Sequence, residues 1–218
     1  MKIYLVRHAQ THYNAAGILQ GHKDTYLNPE GEQQASRLGQ RLQNVPFDGV
    51  FGSDLLRCQD TATIILEQNK AAVEPLVQYS SKFRERSMGP LDGLHLDQAK
   101  LILASDGKDW GDYGGDPAES RASIMSEWAA TCDLIGEKGF SHCLIVTHGT
   151  VVSELLKSLV ESNSVKWASG RAKTISIPAN TGLTILEKSP ASAEWVIHCF
   201  NDTSHFPRMV KEVDPLVV

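Results

Sequence analysis

Basic runs and long apolar stretches are both missing from this chain of 218 residues. Its formal net charge is −5, with 21 lysines and arginines against 26 aspartates and glutamates. Without a basic patch we expect no nucleic-acid partner. The apolar run Ile3–Val6 is too short for a signal peptide or a membrane span, so we expect no membrane association. On so acidic a chain, a local cluster of positive charge would indicate an anion-binding site.

Cysteine is also scarce. Cys58, Cys132, Cys143 and Cys199 are widely spaced and form no CxxC pair. This spacing argues against a disulfide framework and a zinc site, and it predicts a reducing, cytoplasmic location. The sequence has no repeat and no low-complexity tract, and its length suits one domain spanning residues 1–218.

Short apolar runs alternate with helical patterns along the chain. Buried strands are predicted at Ile3–Val6, Val50–Phe51 and Cys143–Val146, since strands of a parallel sheet are continuously apolar. A late hairpin is predicted from Thr181–Leu186 and Glu194–Phe200. The alternation predicts an α/β fold, with a mostly parallel central sheet and helices on both faces.

Four helices are predicted between these strands. Asn28 followed by Pro29 predicts a helix start that continues to about Leu42. Ser53 is predicted to cap a second helix. A third helix is expected to begin near Ala118, and a fourth at Gly149.

Two segments do not fit this alternation. Residues 82–117 are rich in glycine and aspartate, and we predict an irregular excursion over one edge of the sheet. Residues 207–218 are predicted to form a lid, a subunit contact or a disordered tail. Association into a homo-oligomer is left open.

Polar side chains follow three of the predicted strands directly. Arg7 and His8 end the first strand, Arg57 lies one helical turn beyond the second, and His148 ends the third. Ligands of open parallel sheets bind beyond the carboxyl ends of the strands. Arginine forks match phosphate oxygens, and helix N-termini add donors and positive dipole ends. The sequence therefore predicts a compact anion pocket built around Arg7, His8, Arg57 and His148.

The same residues belong to ordered motifs that cover nearly the whole chain. These are Leu5–Thr11, Asn14, Gln20-Gly21, Leu27–Gly31, Ser53–Ala62, Arg84–Arg86, Glu119-Ser120, Val146–Gly149, Asn180-Thr181 and Asn201–His205. Together they resemble the histidine phosphatase superfamily, also called phosphoglycerate mutase-like. The segment Arg84–Gly89 resembles the small broad-specificity phosphatases of fungi. A departure is Ala9, where the family usually has glycine, and alanine is acceptable there unless the backbone needs a positive φ.

The resemblance implies a role for each matched residue. His8 would be the nucleophile that forms a phosphohistidine, and Glu85 the general acid and base. Arg7, Arg57 and His148 would hold the phosphoryl oxygens. The further substrate contacts would be Asn14, Gln20, Gly21, Arg86 and Gly149. Arg84 and Arg86 flank Glu85 and are expected to turn away from it.

A metal-independent phosphatase acting on small phosphorylated metabolites, with no cofactor, is thus the predicted function. Phosphoglycerate mutase is an alternative, but the segment from Gly93 to Ala118 is short and has no arginine pair to grip a carboxylate. A phosphate-binding regulatory protein with little turnover is another. A metal site formed by His8 and His12 with His95 or His142 is disfavoured, because the His8–His12 spacing serves a metal only on a helix. Trp110 and Tyr113 would either line a substrate mouth or anchor the 82–117 loop.

Overall fold

A seven-stranded sheet forms the centre of the computed structural model, which describes residues 1–110, 120–170, 174–188 and 194–207. The strands are β1 (Lys2–Arg7), β2 (Gly49–Ser53), β3 (Leu76–Ser80), β4 (His142–Thr147), β5 (Val165–Trp167), β6 (Leu183–Lys188) and β7 (Trp195–Asp202). Their order is β3-β2-β4-β1-β6-β7-β5. Among these described strands, β6 alone runs antiparallel to its neighbours. The mostly parallel sheet is confirmed.

Helices cover both faces of the sheet, as predicted. They are α1 (His12–Ala15), α2 (Pro29–Arg41), α3 (Leu56–Glu67), α4 (Leu96–Asp106), α5 (Arg121–Glu137) and α6 (Gly149–Glu161). Alternate residues of β1 divide the core, because successive side chains of a strand point to opposite faces. Ile3 and Leu5 pack with α5 and α6, whereas Tyr4 and Val6 pack with α2 and α3. None of the helices in the described part of the chain is long and apolar enough to cross a bilayer.

Local capping chemistry explains where α2 begins. The Asn28 side chain accepts a hydrogen bond from the Gly31 amide at 2.8 Å, and Pro29 occupies the first helical turn. The predicted helix is therefore confirmed, with Leu42 as its C-cap. The predicted hairpin is confirmed as the antiparallel pair β6–β7, and its connecting residues 189–193 lie outside the described ranges.

One predicted helix start is wrong. Helix α3 begins at Leu56 with Leu55 as N-cap, because β2 continues through Ser53 and the Ser53 hydroxyl is engaged elsewhere. The helix predicted near Ala118 is confirmed as α5, which begins at Arg121, where the Ser120 hydroxyl accepts from the Ser123 amide; Ala118 itself lies outside the described residues.

The prediction of an irregular 82–117 segment is also wrong in its described part. Short 3₁₀ turns at Ser81–Phe83 and Gly89–Leu91 lead into α4, which has 11 residues. Helix α4 is capped by His95, whose Nδ1 accepts from the Asp97 amide at 3.3 Å. Residues 111–117 of this segment, including Tyr113, and the predicted tail beyond residue 207 lie outside the described residues.

Candidate active site

The carboxyl ends of β2, β4 and β1 lie side by side in the sheet. Arg7 of β1 pairs with Thr147 of β4, and Gly52 of β2 pairs with Val146 of β4. The residues that follow these pairs therefore meet at one edge, as the sequence predicted. The rings of His8 and His148 lie 5.3 Å apart between centroids.

His8 is held in one orientation and one tautomer. Its side chain is almost wholly buried, and Nδ1 lies 2.8 Å from the Ala9 carbonyl oxygen. Because a carbonyl only accepts, Nδ1 carries the proton and Nε2 presents its lone pair. Burial, followed by the charges of Arg57 and Arg7, holds the pKa of His8 well below its usual range. His8 is thus a neutral nucleophile at neutral pH.

The backbone around His8 is equally constrained. The His8 amide donates to the Thr147 carbonyl at 2.8 Å, and its own carbonyl accepts from Asn180 Nδ2 at 2.9 Å. The Ala9 amide donates to the Thr61 hydroxyl at 2.9 Å. Ala9 is not among the positive-φ positions of the described chain, so alanine fits there without strain.

Two arginines are fixed beside His8 by backbone carbonyls. Arg57 is fully buried and donates to the carbonyls of Lys23 at 2.8 Å and Gly21 at 2.9 Å. Arg7 donates to the Pro178 carbonyl at 2.7 Å. The Nε of each guanidinium is buried and finds no hydrogen-bond partner among the described residues. Each fork therefore has a fixed position and an unused donor, which suits binding of an anion.

His148 lies behind these groups. Arg57 Nη2 lies 3.2 Å from His148 Nδ1, and a guanidinium can only donate, so Nδ1 accepts. Nε2 then donates to the Ser53 hydroxyl at 2.9 Å. Burial and the Arg57 charge hold the pKa of His148 well below its usual range. Both ring nitrogens are engaged by protein groups here, so a direct contact of His148 with phosphate stays a prediction.

Cys58 also touches this ring, with Sγ 3.5 Å from His148 Nε2. Burial raises the pKa of the Cys58 thiol to about 12. The thiol therefore stays protonated and unreactive, as is typical of a buried structural cysteine.

Glu85 reaches the same place from the loop after β3. One carboxylate oxygen accepts from the Arg86 amide at 3.0 Å, and the other accepts from the Thr150 amide at 3.2 Å. Thr150 lies in the first turn of α6, where the helix dipole favours a carboxylate. Thr150 could not be recognised from the sequence, since a backbone donor leaves no mark in the side-chain pattern.

The arginines that flank Glu85 behave differently from each other. Arg84 forms a paired contact with Asp54, at 2.6 and 2.7 Å, and so turns away from Glu85 as expected. Arg86 lines the same cavity as Glu85, so the expectation that it also turns away is wrong. Its position is compatible with the predicted substrate contact.

A cavity of roughly 620 Å³ opens above these groups. Its described lining consists of Arg7, His8, Asn14, Ile18, Leu19, Gln20, Gly21, Arg57, Glu85, Arg86, Met88, Leu96, Lys100, Trp110, Thr150 and Ile177. The lining thus includes every predicted site residue except His148 and Gly149. Gly149 begins α6 and packs against Arg7, so its predicted substrate contact stays a prediction.

Two amides in the lining are oriented by their neighbours. The Asn14 carbonyl oxygen accepts from the Thr11 amide at 3.1 Å and from Asn180 at 3.3 Å. The Gln20 carbonyl oxygen accepts from the hydroxyls of Thr11 at 2.9 Å and Thr25 at 2.6 Å. Each amide therefore keeps its NH₂ group for donation, as an anion site requires.

The described part of the chain contains no set of ligands for the alternative of a metal site. There, no three histidine, cysteine, aspartate or glutamate side chains come together in a way that could hold a metal ion. His95 caps α4 and His142 begins β4, so neither joins His8. The chemistry available at the cavity is that of a neutral imidazole, two fixed guanidinium groups and a carboxylate.

A nucleophile and an anion cradle at the carboxyl edge of a mostly parallel sheet define an α/β enzyme of phosphoryl transfer. The family model described as the histidine phosphatase superfamily (branch 1) matches residues 3–203. The chain belongs to this superfamily.

Two of the relatives with curated descriptions are phosphatases of fungi. The broad-specificity phosphatase YOR283W of Saccharomyces cerevisiae is 31% identical over 211 residues, which cover 94% of this chain and 87% of that protein. The probable phosphatase C1687.21 of Schizosaccharomyces pombe is 33% identical over 206 residues, covering 94% and 95%. The resemblance inferred from the sequence motifs is confirmed, and family and relatives together support a phosphoric monoester hydrolase.

A solved structure with the same fold is the phosphoglycerate mutase from Bacillus anthracis. It superimposes with a TM-score of 0.78 over 94% of each chain, at 21% sequence identity. At this identity the likeness establishes the fold alone, and the reaction has to be inferred from the residues of the site.

Proposed function

We propose that this protein hydrolyses phosphate monoesters of small metabolites through a phosphohistidine on His8. The observation that carries the proposal is the single orientation of His8, whose unprotonated Nε2 belongs to a ring fixed beside Arg7 and Arg57. Phosphoryl transfer depends mainly on positioning and on charge stabilisation, and this arrangement supplies both.

The two half-reactions use the same groups in opposite directions. His8 Nε2 attacks phosphorus, the ester P–O bond breaks, and the leaving oxygen takes a proton from Glu85. Water then attacks the phosphohistidine while Glu85 takes a proton from it, the N–P bond breaks, and phosphate leaves. Throughout, the guanidinium groups of Arg7 and Arg57 balance the charge on the phosphoryl oxygens.

No metal or cofactor enters this mechanism. Two fixed guanidinium charges supply the charge stabilisation that a divalent cation supplies in other phosphoryl-transfer enzymes. Hydrolysis should therefore continue in excess EDTA. An activity that disappears with chelator and returns with added metal would contradict this part of the proposal.

Trapping of the phosphoenzyme tests the proposal as a whole. Rapid quenching with radiolabelled substrate, without acid, should yield a protein-bound label that is stable to base and labile to acid. His8→Ala should abolish both the label and the release of phosphate from p-nitrophenyl phosphate. His12→Ala, which removes an exposed histidine four residues later, is the matched control. Full activity of His8→Ala would refute the mechanism.

Phosphatase is proposed over mutase on the segment that follows Glu85. From Gly93 to Trp110 this segment contains no arginine, so it holds no arginine pair to grip a carboxylate. Given 3-phosphoglycerate and the bisphosphate primer, the enzyme should release inorganic phosphate and form little 2-phosphoglycerate. Rapid interconversion of the two phosphoglycerates without phosphate release would decide for the mutase.

We also propose a cytoplasmic location. All four cysteines are free thiols, as a reducing compartment favours. Microscopy of a fluorescently tagged chain in its native cell is the corresponding test.

A further inference from the structure

Most of the cavity wall beyond the phosphate-binding groups is apolar. We call Ile18, Leu19, Met88, Leu96, Trp110 and Ile177 the apolar wall. Three of its members are large side chains left open to solvent: Leu96 and Trp110 are each 37% exposed, and Ile177 is 60% exposed. Exposed apolar side chains gathered around a cavity are typical of a ligand-binding surface.

Backbone hydrogen bonds hold this wall in place. The Leu19 amide donates to the Leu94 carbonyl at 2.9 Å, and the Gly93 amide donates back to the Leu19 carbonyl at 2.8 Å. The Leu96 amide donates to the Gly17 carbonyl at 2.8 Å. The loop that follows α1 is thereby paired with the start of α4.

A small separate core supports the same surface from below. Leu91, Ala99 and Leu103 are buried together, and Leu19 and Met88 of the apolar wall pack against them. The part of the wall formed by Leu19, Met88 and Leu96 is therefore in place before a ligand binds, so binding carries little entropy cost for ordering it.

The charge of the cavity exceeds what one phosphate needs. Arg7 and Arg57 lie at the floor with His8, and they balance a phosphate monoester of charge about −2. Arg86 and Lys100 add further positive charge, whereas Glu85 is the one carboxylate among the described lining residues.

Lys100 is positioned to bind a substrate group that extends past the apolar wall. It follows Leu96 by one helical turn on α4, so both side chains lie on one face and both line the cavity. Its ion pair with Asp97, at 3.3 Å, is exposed to solvent and therefore weak. A bound anion can replace Asp97 as its partner.

We propose that the preferred substrates are phosphate monoesters whose ester oxygen is carried by an aliphatic or aromatic body ending in a second anionic group. The apolar wall contacts the body, and Lys100 pairs with the far anion. This inference rests on the proposed phosphatase function, and it names the substrate class of that same site.

The first experiment isolates the far anion. The phosphate ester of 4-hydroxyphenylacetate is compared with the phosphate ester of its amide, since both have closely similar leaving groups and apolar bodies. We expect kcat/KM to favour the acid by roughly two- to fivefold, the range of a partly screened ion pair. In Lys100→Ala this ratio should fall to about one, whereas Lys108→Ala, the next lysine along the chain, should keep it. High salt should also reduce the preference.

The second experiment isolates the apolar body. Hexyl phosphate is compared with ethyl phosphate, because their leaving groups are nearly equivalent. Each buried methylene is worth about fourfold in affinity, so hexyl phosphate should have a kcat/KM at least about tenfold higher. Leu96→Ala should reduce this advantage by roughly three- to tenfold. Leu101→Ala is the matched control, because Leu101 is 71% exposed on α4 and does not line the cavity.

These outcomes separate the two levels of inference. Phosphate release with equal kcat/KM for acid and amide, or for hexyl and ethyl phosphate, would overturn the proposed substrate class and leave the phosphatase intact. Failure of every substrate, p-nitrophenyl phosphate included, would overturn the proposed function itself.

Discussion

The floor of the cavity and its apolar wall are built in opposite ways. His8 and Arg57 in the floor, and His148 behind them, are almost wholly buried, and each is held by backbone or by a neighbouring site residue. Lys100 and much of the apolar wall are partly open to solvent, and Leu19 and Met88 of the wall pack on a small core separate from the main one. This difference indicates that reaction chemistry and substrate choice reside in separate parts of the chain.

Burial suits the floor, because its task is the same for every substrate. Electrostatic interactions are stronger away from water, so fixed arginine donors there stabilise a phosphoryl group more than exposed donors would. The wall needs only to exclude water and to match a shape. A helix such as α4, outside the main core, can change for that purpose without disturbing the sheet.

The largest expected effect comes from Arg57→Lys in the floor. A lysine keeps the charge but cannot reach the carbonyls of Gly21 and Lys23, His148 and an anion at once. We expect kcat/KM to fall by roughly 10²–10³-fold, equally for alkyl and aryl phosphates. Arg84→Lys is the matched control, because Arg84 pairs with Asp54 and does not line the cavity. Substrate-selective losses in Arg57→Lys would break the division between floor and wall.

Glu85→Gln should come next, and its effect should follow the leaving group. Glutamine keeps an acceptor for the Thr150 amide but has no acidic proton to give. Hydrolysis of hexyl phosphate should fall by about 10²-fold or more, while that of p-nitrophenyl phosphate should fall less, since its leaving group needs no proton. Steady-state kinetics on the two esters provides the measurement. Equal losses would remove Glu85 from the role of general acid.

Ser53→Ala sharpens the comparison from behind the floor. The change removes the hydroxyl that accepts from His148 Nε2, so the ring keeps its contact with Arg57 but loses the hydrogen bond that holds its other nitrogen. We expect kcat/KM to fall by about tenfold, with a shifted acid limb in its pH profile. The matched control is Ser153→Ala, which also removes a buried hydroxyl, but one on α6 that bonds the Thr150 carbonyl. A loss of thermal stability with an unchanged pH profile would make Ser53 merely structural.

The floor of the cavity could be predicted from the sequence, whereas much of the structure around the apolar wall could not. The floor was predictable because its residues directly follow apolar strands, and parallel strands bring their carboxyl ends together. Helix α4 was missed because its buried residues, such as Ala99 and Leu103, face a small local core and leave a weak apolar pattern. Strands β3 and β5 were missed because β3 is largely exposed and β5 is short.

The contact between Ser53 and His148 was beyond sequence reasoning for a different reason. The two residues are 95 positions apart, and the Ser53 hydroxyl could equally have capped α3. The choice is made by the tertiary structure, since β2 runs through Ser53 and delivers its side chain to the buried ring. Local propensity could not reveal it.

His205 offers the smallest effect, which concerns stability more than catalysis. It lies behind the floor, where its Nε2 is 2.9 Å from the Thr181 hydroxyl, and the Thr181 amide donates to the Arg7 carbonyl at 3.0 Å. Burial, followed by the charge of Arg41, lowers the pKa of His205 to about 4. The folded protein therefore keeps His205 neutral at pH values where the unfolded chain protonates it.

The sign of the resulting pH dependence follows from linkage. Between about pH 6.5, the unfolded value, and about pH 4, the unfolded chain binds a proton that the folded chain does not, so stability falls as the pH falls through this window. His205→Gln removes this proton, so its free energy of unfolding should fall less than that of the wild type between pH 7.5 and pH 4.5. Urea denaturation at both pH values measures the difference, with His12→Gln as the exposed control. An identical fall in His205→Gln and wild type would show that His205 is protonated in the folded state, and it would then carry a charge there, whereas the imidazoles of His8 and His148 are kept neutral.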